Sequence, residues 1–242
     1  MNIRGTHALV TGGAHRLGRS IALALAQAGA DVSIHFHSSA DKAEATLAEL
    51  RAHGVRATAI QANIAVVAEA ERVVDEAAAQ LGPLHILVNS AGIWGATPLG
   101  SATQERWDEL MAINVRAAFF LTQRAAPMLR TARGAVINIA DVGALRPWKN
   151  YTPYLVSKGA VVTLTEALAK DLAPEVRVNA IAPGPVMLPD DWDEKQAESS
   201  AQTVLLKRLG TPEDVAQAVI YLAAADYVTG VILPVDGGNR LM

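Results

Sequence analysis

The chain has 242 residues, with 24 acidic and 21 basic side chains, six histidines and no cysteine. Apolar residues make up 51% and charged residues 19%, which excludes a disordered or collagen-like chain. The lack of cysteine excludes disulfides, thiolate nucleophiles, iron–sulfur clusters and cysteine-held zinc, and a formal charge of −3 argues against nucleic acid or an anionic membrane as partner.

An α/β domain runs to about 250 residues as one unit, so the length predicts a single domain over 1–242. The first residues carry no apolar leader stretch, and no run of about 18 apolar residues occurs. A cytoplasmic protein is the expectation. In chain order, short apolar runs alternate with longer stretches of helical spacing. The pattern predicts strand 7–10, helix 16–29, strand 32–36, helix 41–54, strand 57–61, helix 65–82 and strand 84–89. It continues with helix 103–129, strand 135–139, helix 152–173, strand 176–181, helix 211–225 and strand 231–235. The start Thr211-Pro212-Glu213-Asp214 carries a cap residue, a proline for the first turn and two acids for the positive end of the helix dipole. Such alternation implies one Rossmann-type, doubly wound parallel sheet of about seven strands with helices on both faces. The weakly patterned stretch 188–206, acidic at first through Asp190, Asp191, Asp193 and Glu194, reads as a surface loop near the substrate.

Strand 1 runs into Thr11-Gly12-Gly13-Ala14-His15-Arg16-Leu17-Gly18 and then a helix. Glycines at such a turn let the backbone approach a pyrophosphate, and the helix N-terminus stabilises its charge. NAD-binding chains of this architecture place an acid at the end of strand 2, about 20 residues on, to bond the ribose 2′-hydroxyl. Here that place reads His35-Phe36-His37-Ser38-Ser39, with no acid before Asp41. With Arg16 directed to the same corner, a 2′-phosphate is better served, so NADP(H) is the expected cofactor. His35 reads as an ordinary polar residue at a strand end.

Tyr154 and Lys158 are four apart in a helical stretch and share one face. An ammonium beside a phenol makes it a better proton donor near neutral pH.

With these residues in order, the chain resembles the short-chain dehydrogenase/reductases over essentially its full length. The carrying residues are Thr11-Gly12 with Gly18, Asn89-Ser90-Ala91-Gly92, Asn114, Tyr154 with Lys158, Pro183-Gly184 and Asp236-Gly237-Gly238. The resemblance implies a hydride-transfer enzyme in which Tyr154 is the proton donor and Lys158 holds the nicotinamide ribose. It implies that Asn114 positions a water beside Lys158 and that Asn89 supports the sheet under the cofactor. It assigns to the cofactor Gly12, Arg16, Leu17, Gly18, His37, Ser38, Ser39, Asn63, Ile64, Asn89, Ala91, Gly92, Tyr154, Lys158, Pro183 and Gly184. Asn63 stands where the family has an aspartate for the adenine amino group, and its carbonyl oxygen can accept the same bond. A homotetramer is implied as well.

Thirteen residues before Tyr154, where most of the family has serine, stands Asp141. Asp141, Arg16 and the His35-Phe36-His37 run resemble the pteridine reductase branch, in which an aromatic residue at the place of Trp94 stacks on the pterin. Catalysis is then expected from Asp141, Tyr154, Lys158 and Asn114, and substrate contact from Trp94, Asp141 and Tyr154. A buried Asp141 would hold a proton for a ring nitrogen. The main expectation is an NADPH-dependent pteridine reductase. A carbonyl or 3-oxoacyl-thioester reductase is the alternative, and a non-catalytic NADP(H)-binding module the third reading. Trp107 reads as packed in a helix, Trp148 as lining the substrate mouth or an interface, and Trp192 as a lid or surface residue. The histidines lack metal-ligand spacing and no G-x-S-x-G elbow is present, so neither a metal nor hydrolase chemistry is expected.

Overall fold

The computed structural model describes residues 1–187 and 193–242. Seven strands form one parallel sheet: β1 (His7–Thr11), β2 (Asp31–Phe36), β3 (Ala57–Gln61), β4 (Ile86–Asn89), β5 (Ala135–Ile139), β6 (Arg177–Pro183) and β7 (Ile232–Val235). Their order across the sheet is β3-β2-β1-β4-β5-β6-β7. The chain winds outward in both directions from β1 and β4, so a crevice opens at the carboxyl ends of these two strands.

Among the described residues there are eight α-helices: α1 (Arg16–Gln27), α2 (Ala40–Ala52), α3 (Val67–Leu81), α4 (Gln104–Met111), α5 (Ala117–Ala132), α6 (Thr152–Leu172), α7 (Glu194–Gln202) and α8 (Pro212–Ala224). The apolar sides of α1, α2 and α8 pack on one face, through residues such as Ile21, Leu25, Leu50 and Val219. Helices α3, α5 and α6 pack on the other, through Val73, Val74, Leu121, Leu129 and Leu168. Because both faces are covered, β1, β4 and β5 are buried at every position and read as continuous apolar runs rather than alternating ones. Thr211 caps α8 by accepting from the amide of Asp214, whose carboxylate returns a bond to the amide of Thr211. No helix among the described residues is long and apolar enough to cross a membrane.

The predicted elements match these bounds within about three residues, with two corrections. The stretch 103–129 is not one helix. Between α4 and α5, residues 112–116 form a π-helical turn, so the register changes where Asn114 sits. A wide turn of this kind leaves no trace in 3.6-residue spacing. The predicted loop 188–206 contains α7, opened by a reciprocal cap between Asp193 and Gln196. That helix buries no residue, so no apolar stripe marked it in the sequence. Asp190, Asp191 and Trp192 lie outside the described residues.

Candidate active site

The glycine turn leaves the carboxyl end of β1 and enters α1. Gly12 has φ +66°, a backbone conformation costly for other residues, and an added Cβ would lie 3.0 Å from the Cα of Ala91. A Cβ on Gly18 would collide with the carbonyl of Gly12, 2.7 Å from its carbon. Thr11 Oγ1 accepts from the amides of Ser90 and Ala91, both at 3.0 Å. The loop after β4 is thereby tied to the loop after β1, which builds a narrow cradle from Gly12, Leu17, Gly18, Ala91 and Gly92. The first-turn amides of α1 have no intrahelical acceptor and suit a pyrophosphate. Arg16 opens α1 with φ +52°, which explains why a glycine commonly serves at such a place.

Just past β2, His37 and Ser38 are exposed and Ser39 is half-buried. Asn63 is exposed and Ile64 buried after β3. The carbonyl oxygen of Asn63 accepts from the amide of Ala65 at 3.1 Å, so one of its two lone pairs is already used. Pro183 ends β6, and Gly184 faces Asp236 so closely that a Cβ would lie 2.7 Å from its Cα.

His35 is not an ordinary strand-end residue. It is buried, its Nδ1 accepts from the amide of Gly12 at 3.3 Å, and its Nε2 donates to the carbonyl of Ala62 at 3.1 Å. Burial pushes its pKa down to about 4. Only the pairing of β2 with β1 brings it to the turn, so sequence spacing carried no signal for this role.

Tyr154 and Lys158 lie on the buried side of α6. The Tyr154 hydroxyl donates to Asp141 Oδ2 at 2.6 Å. Asp141 follows β5, and its other oxygen accepts from the amide of Gly143 at 2.7 Å. Lys158 Nζ donates to the carbonyl of Ile139 at 2.8 Å and lies 5.9 Å from the centre of the Tyr154 ring. The three side chains therefore converge at the carboxyl end of β5.

Burial raises the pKa of the Asp141 carboxyl, as the sequence predicts, whereas the phenol departs from expectation. The bonds from Tyr154 and Gly143 and the charge of Lys158 oppose the shift of Asp141. The Tyr154 phenol stands well above its ordinary value, first because it is buried and then because ionising it would place a second negative charge against Asp141. The ammonium of Lys158 does not overcome those two effects. Burial lowers Lys158 itself to about 8, with Asp141 acting in the opposite direction.

Asn114 is buried, and both Nδ2 hydrogens and one of the two Oδ1 lone pairs are engaged. Its Oδ1 accepts from the amide of Ile93, and its Nδ2 donates to the carbonyl of Ile93 and to Ser157 Oγ. It fastens the loop after β4 to α6. A Cβ on Gly92 would lie 3.2 Å from Asn114 Oδ1 and 3.5 Å from Lys158 Nζ, so glycine keeps this junction open. The bond to Ser157 has no local signal, because a serine inside a helix carries no motif for its distant partner. Asn89 ties β4 to its neighbours: its Nδ2 donates to Asn138 Oδ1 at 2.8 Å and to Thr122 Oγ1, and Asn138 donates on to Thr165 Oγ1.

Trp94 is half-exposed in the loop after β4. Its ring lies parallel to Tyr151, with centroids 5.8 Å apart, and Tyr151 packs on the cluster that contains Tyr154. Trp148 meets Tyr151 edge-on and abuts Gly143, which places it beside the Asp141 loop. Trp107 is 39% exposed on α4 rather than packed inside. Among the described residues, no group of three or more histidine, aspartate or glutamate side chains has a metal-binding arrangement.

A crevice at the β1/β4 switch point, a phosphate-shaped turn and a tyrosine–lysine pair define a nucleotide-dependent oxidoreductase of the Rossmann class. The family described as Enoyl-(Acyl carrier protein) reductase matches residues 12–240. The 3-oxoacyl-(acyl-carrier-protein) reductase FabG of Staphylococcus aureus is 37% identical over 96% of this chain and 96% of its own. The 3-oxoacyl-(acyl-carrier-protein) reductase of Synechocystis is 36% identical over 96% of this chain and 95% of its own. A blue fluorescent protein from a metagenomic library, solved in complex with NADPH, superposes with TM-score 0.92 at 38% identity and covers 99% of both chains. A short-chain dehydrogenase/reductase from Serratia marcescens superposes with TM-score 0.93 at 35% identity, covering 99% of this chain and all of that one.

The chain belongs to the short-chain dehydrogenase/reductase family. The pteridine reading is overturned: near-full-length relatives are named 3-oxoacyl reductases. Asp141, Arg16 and Trp94 are too few positions to outweigh similarity spread over the whole chain.

Proposed function

We propose that this chain is an NADPH-dependent reductase of 3-oxoacyl thioesters, with the whole chain acting as one catalytic domain. The observation that carries the reading is the near-full-length similarity to proteins named 3-oxoacyl reductases. The glycine cradle, Arg16 and the acid-free end of β2 suit a nucleotide with a 2′-phosphate, as in the NADPH complex of the similar fold. Bound NADPH supplies the hydride to the ketone carbon, leaving a 3-hydroxyacyl thioester and NADP⁺.

The chain's own residues handle the oxygen and the proton. Tyr154 gives its hydroxyl proton to the ketone oxygen. Lys158, charged below about pH 8, favours the tyrosinate that remains and holds the nicotinamide ribose. Asp141 takes the position of a neutral donor. When protonated, its carboxyl donates to the ketone oxygen beside Tyr154. When ionised, it keeps the Tyr154 hydroxyl for itself and repels the forming oxyanion. Its raised pKa widens the range in which the useful form is present.

Following NADPH absorbance with an acetoacetyl thioester, a simple diketone and dihydrobiopterin tests the reading. Thioester turnover with NADPH well above NADH is expected. Turnover of none of the ketones refutes it. The assembly belongs to the same proposal: a homotetramer, using half-exposed apolar side chains such as Trp107, Phe119 and Met242. A monomeric mass in light scattering at micromolar concentration refutes that part.

A further inference from the structure

We propose that His35 is the strut that sets the shape of the phosphate-binding turn and couples it to the adenosine end of the site. The proposal rests on the NADPH reading above and adds a residue to it that touches neither the reacting atoms nor the substrate.

The ring is only 2% exposed and lies between two segments that are far apart in sequence. On one side stands the glycine turn. The amide of Gly12 donates to His35 Nδ1 at 3.3 Å, and the amide of Gly13 donates to the His35 carbonyl at 3.0 Å. Two successive turn amides are therefore held by one residue, one through its side chain and one through its backbone. On the other side stands the segment after β3. The carbonyl of Ala62 lies 3.1 Å from Nε2, directly before Asn63 and Ile64.

These partners fix the tautomer. A carbonyl only accepts, so Nε2 carries the proton. An amide only donates, so Nδ1 presents its lone pair. The neutral ring with its proton on Nε2 satisfies both contacts, whereas the imidazolium would set an N–H against the Gly12 N–H. Burial holds the ring neutral, and the nearby His37 and Arg72 act in the same direction.

The consequence for the site is geometric. With their amides held, Gly12 and Gly13 cannot turn to the phosphates, and Gly12 is kept at φ +66° against Ala91. The amides of Leu17 and Gly18 at the start of α1 are left for the pyrophosphate. The turn is thus shaped before any nucleotide arrives, which removes an ordering cost from binding.

Two substitutions separate the contacts. Asparagine places an oxygen on the same carbon as Nδ1 and keeps an acceptor for Gly12. Glutamine reaches Ala62 but leaves the Gly12 amide unpaired. His35→Gln and His35→Leu are each expected to weaken NADPH about tenfold, the effect of one buried unpaired donor. KM for NADPH should rise with them, while kcat at saturation stays within about twofold. His35→Asn should remain within about threefold of the parent. Equal losses in the Asn and Gln variants, or no loss in His35→Leu, would overturn the proposal. Should these variants not fold, nitrogen-15 signals of the parent's ring decide. A bare Nδ1 with a protonated Nε2 supports the strut, and the opposite tautomer overturns it. A parent that binds no NADPH overturns the cofactor reading instead, and the nitrogen signals still test His35.

Discussion

Replacing Asp141 by serine perturbs the site at its most unusual point. In the parent, the Tyr154 hydroxyl donates to a carboxyl oxygen at 2.6 Å, within the range of a charge-assisted bond when Asp141 is ionised. Such a bond is worth about 1.5–3 kcal/mol, and it holds the phenol proton away from the substrate. Removing it should release the donor by a factor of about 10 to 150 wherever Asp141 is ionised. Where Asp141 is protonated, its carboxyl already acts as a donor, so a serine hydroxyl changes little. The sign follows from the raised carboxyl pKa: the useful form of the parent is lost as pH rises through that value. The assay is kcat/KM for an acetoacetyl thioester with saturating NADPH, taken from mildly acidic to mildly alkaline pH. The Asp141→Ser enzyme should gain most on the alkaline side and little on the acidic side. A gain or loss that is constant across the range refutes the reasoning, because the ionisation of Asp141 would then not control Tyr154.

Four further outcomes are expected. Tyr154→Phe should lower turnover by about 10² to 10⁴-fold while NADPH binding, measured by fluorescence, stays close to that of the parent. Lys158 is depressed to about 8 from an ordinary 10.5, so activity should fall above about pH 8 as its charge is lost. The same shift makes folding stability rise between about pH 8 and 10.5, where the unfolded chain binds the extra proton, by up to about 3 kcal/mol. Denaturant titrations of the parent and of Lys158→Met should differ in this slope, and parallel slopes would count against the buried ammonium. Gly18→Ala should destabilise the fold by about 1–3 kcal/mol and abolish NADPH binding, since its Cβ would overlap the Gly12 carbonyl. Wild-type affinity in that variant would show that the turn is looser than described.

By itself the sequence determined the alternation of elements. Parallel strands covered on both faces must be continuous apolar runs, and β1, β4 and β5 are readable as such without any partner. It also determined that Tyr154 and Lys158 share a face and that glycines mark the turn after β1, because helical spacing and backbone freedom are local properties. The tertiary structure decided what these residues meet. The short bond from Tyr154 to Asp141 joins side chains carried by different elements, and burial first, then this carboxyl, reverses the local expectation for the phenol. The π-helical turn at Asn114 sets its side chain against Ile93 and Ser157. Trp94 is engaged by Tyr151, and His35 by Gly12 and Ala62, each from a distant part of the chain. Local pattern specifies which groups a segment carries. Burial and hydrogen-bond partners depend on strand register and loop packing, and those are set only when the sheet is assembled.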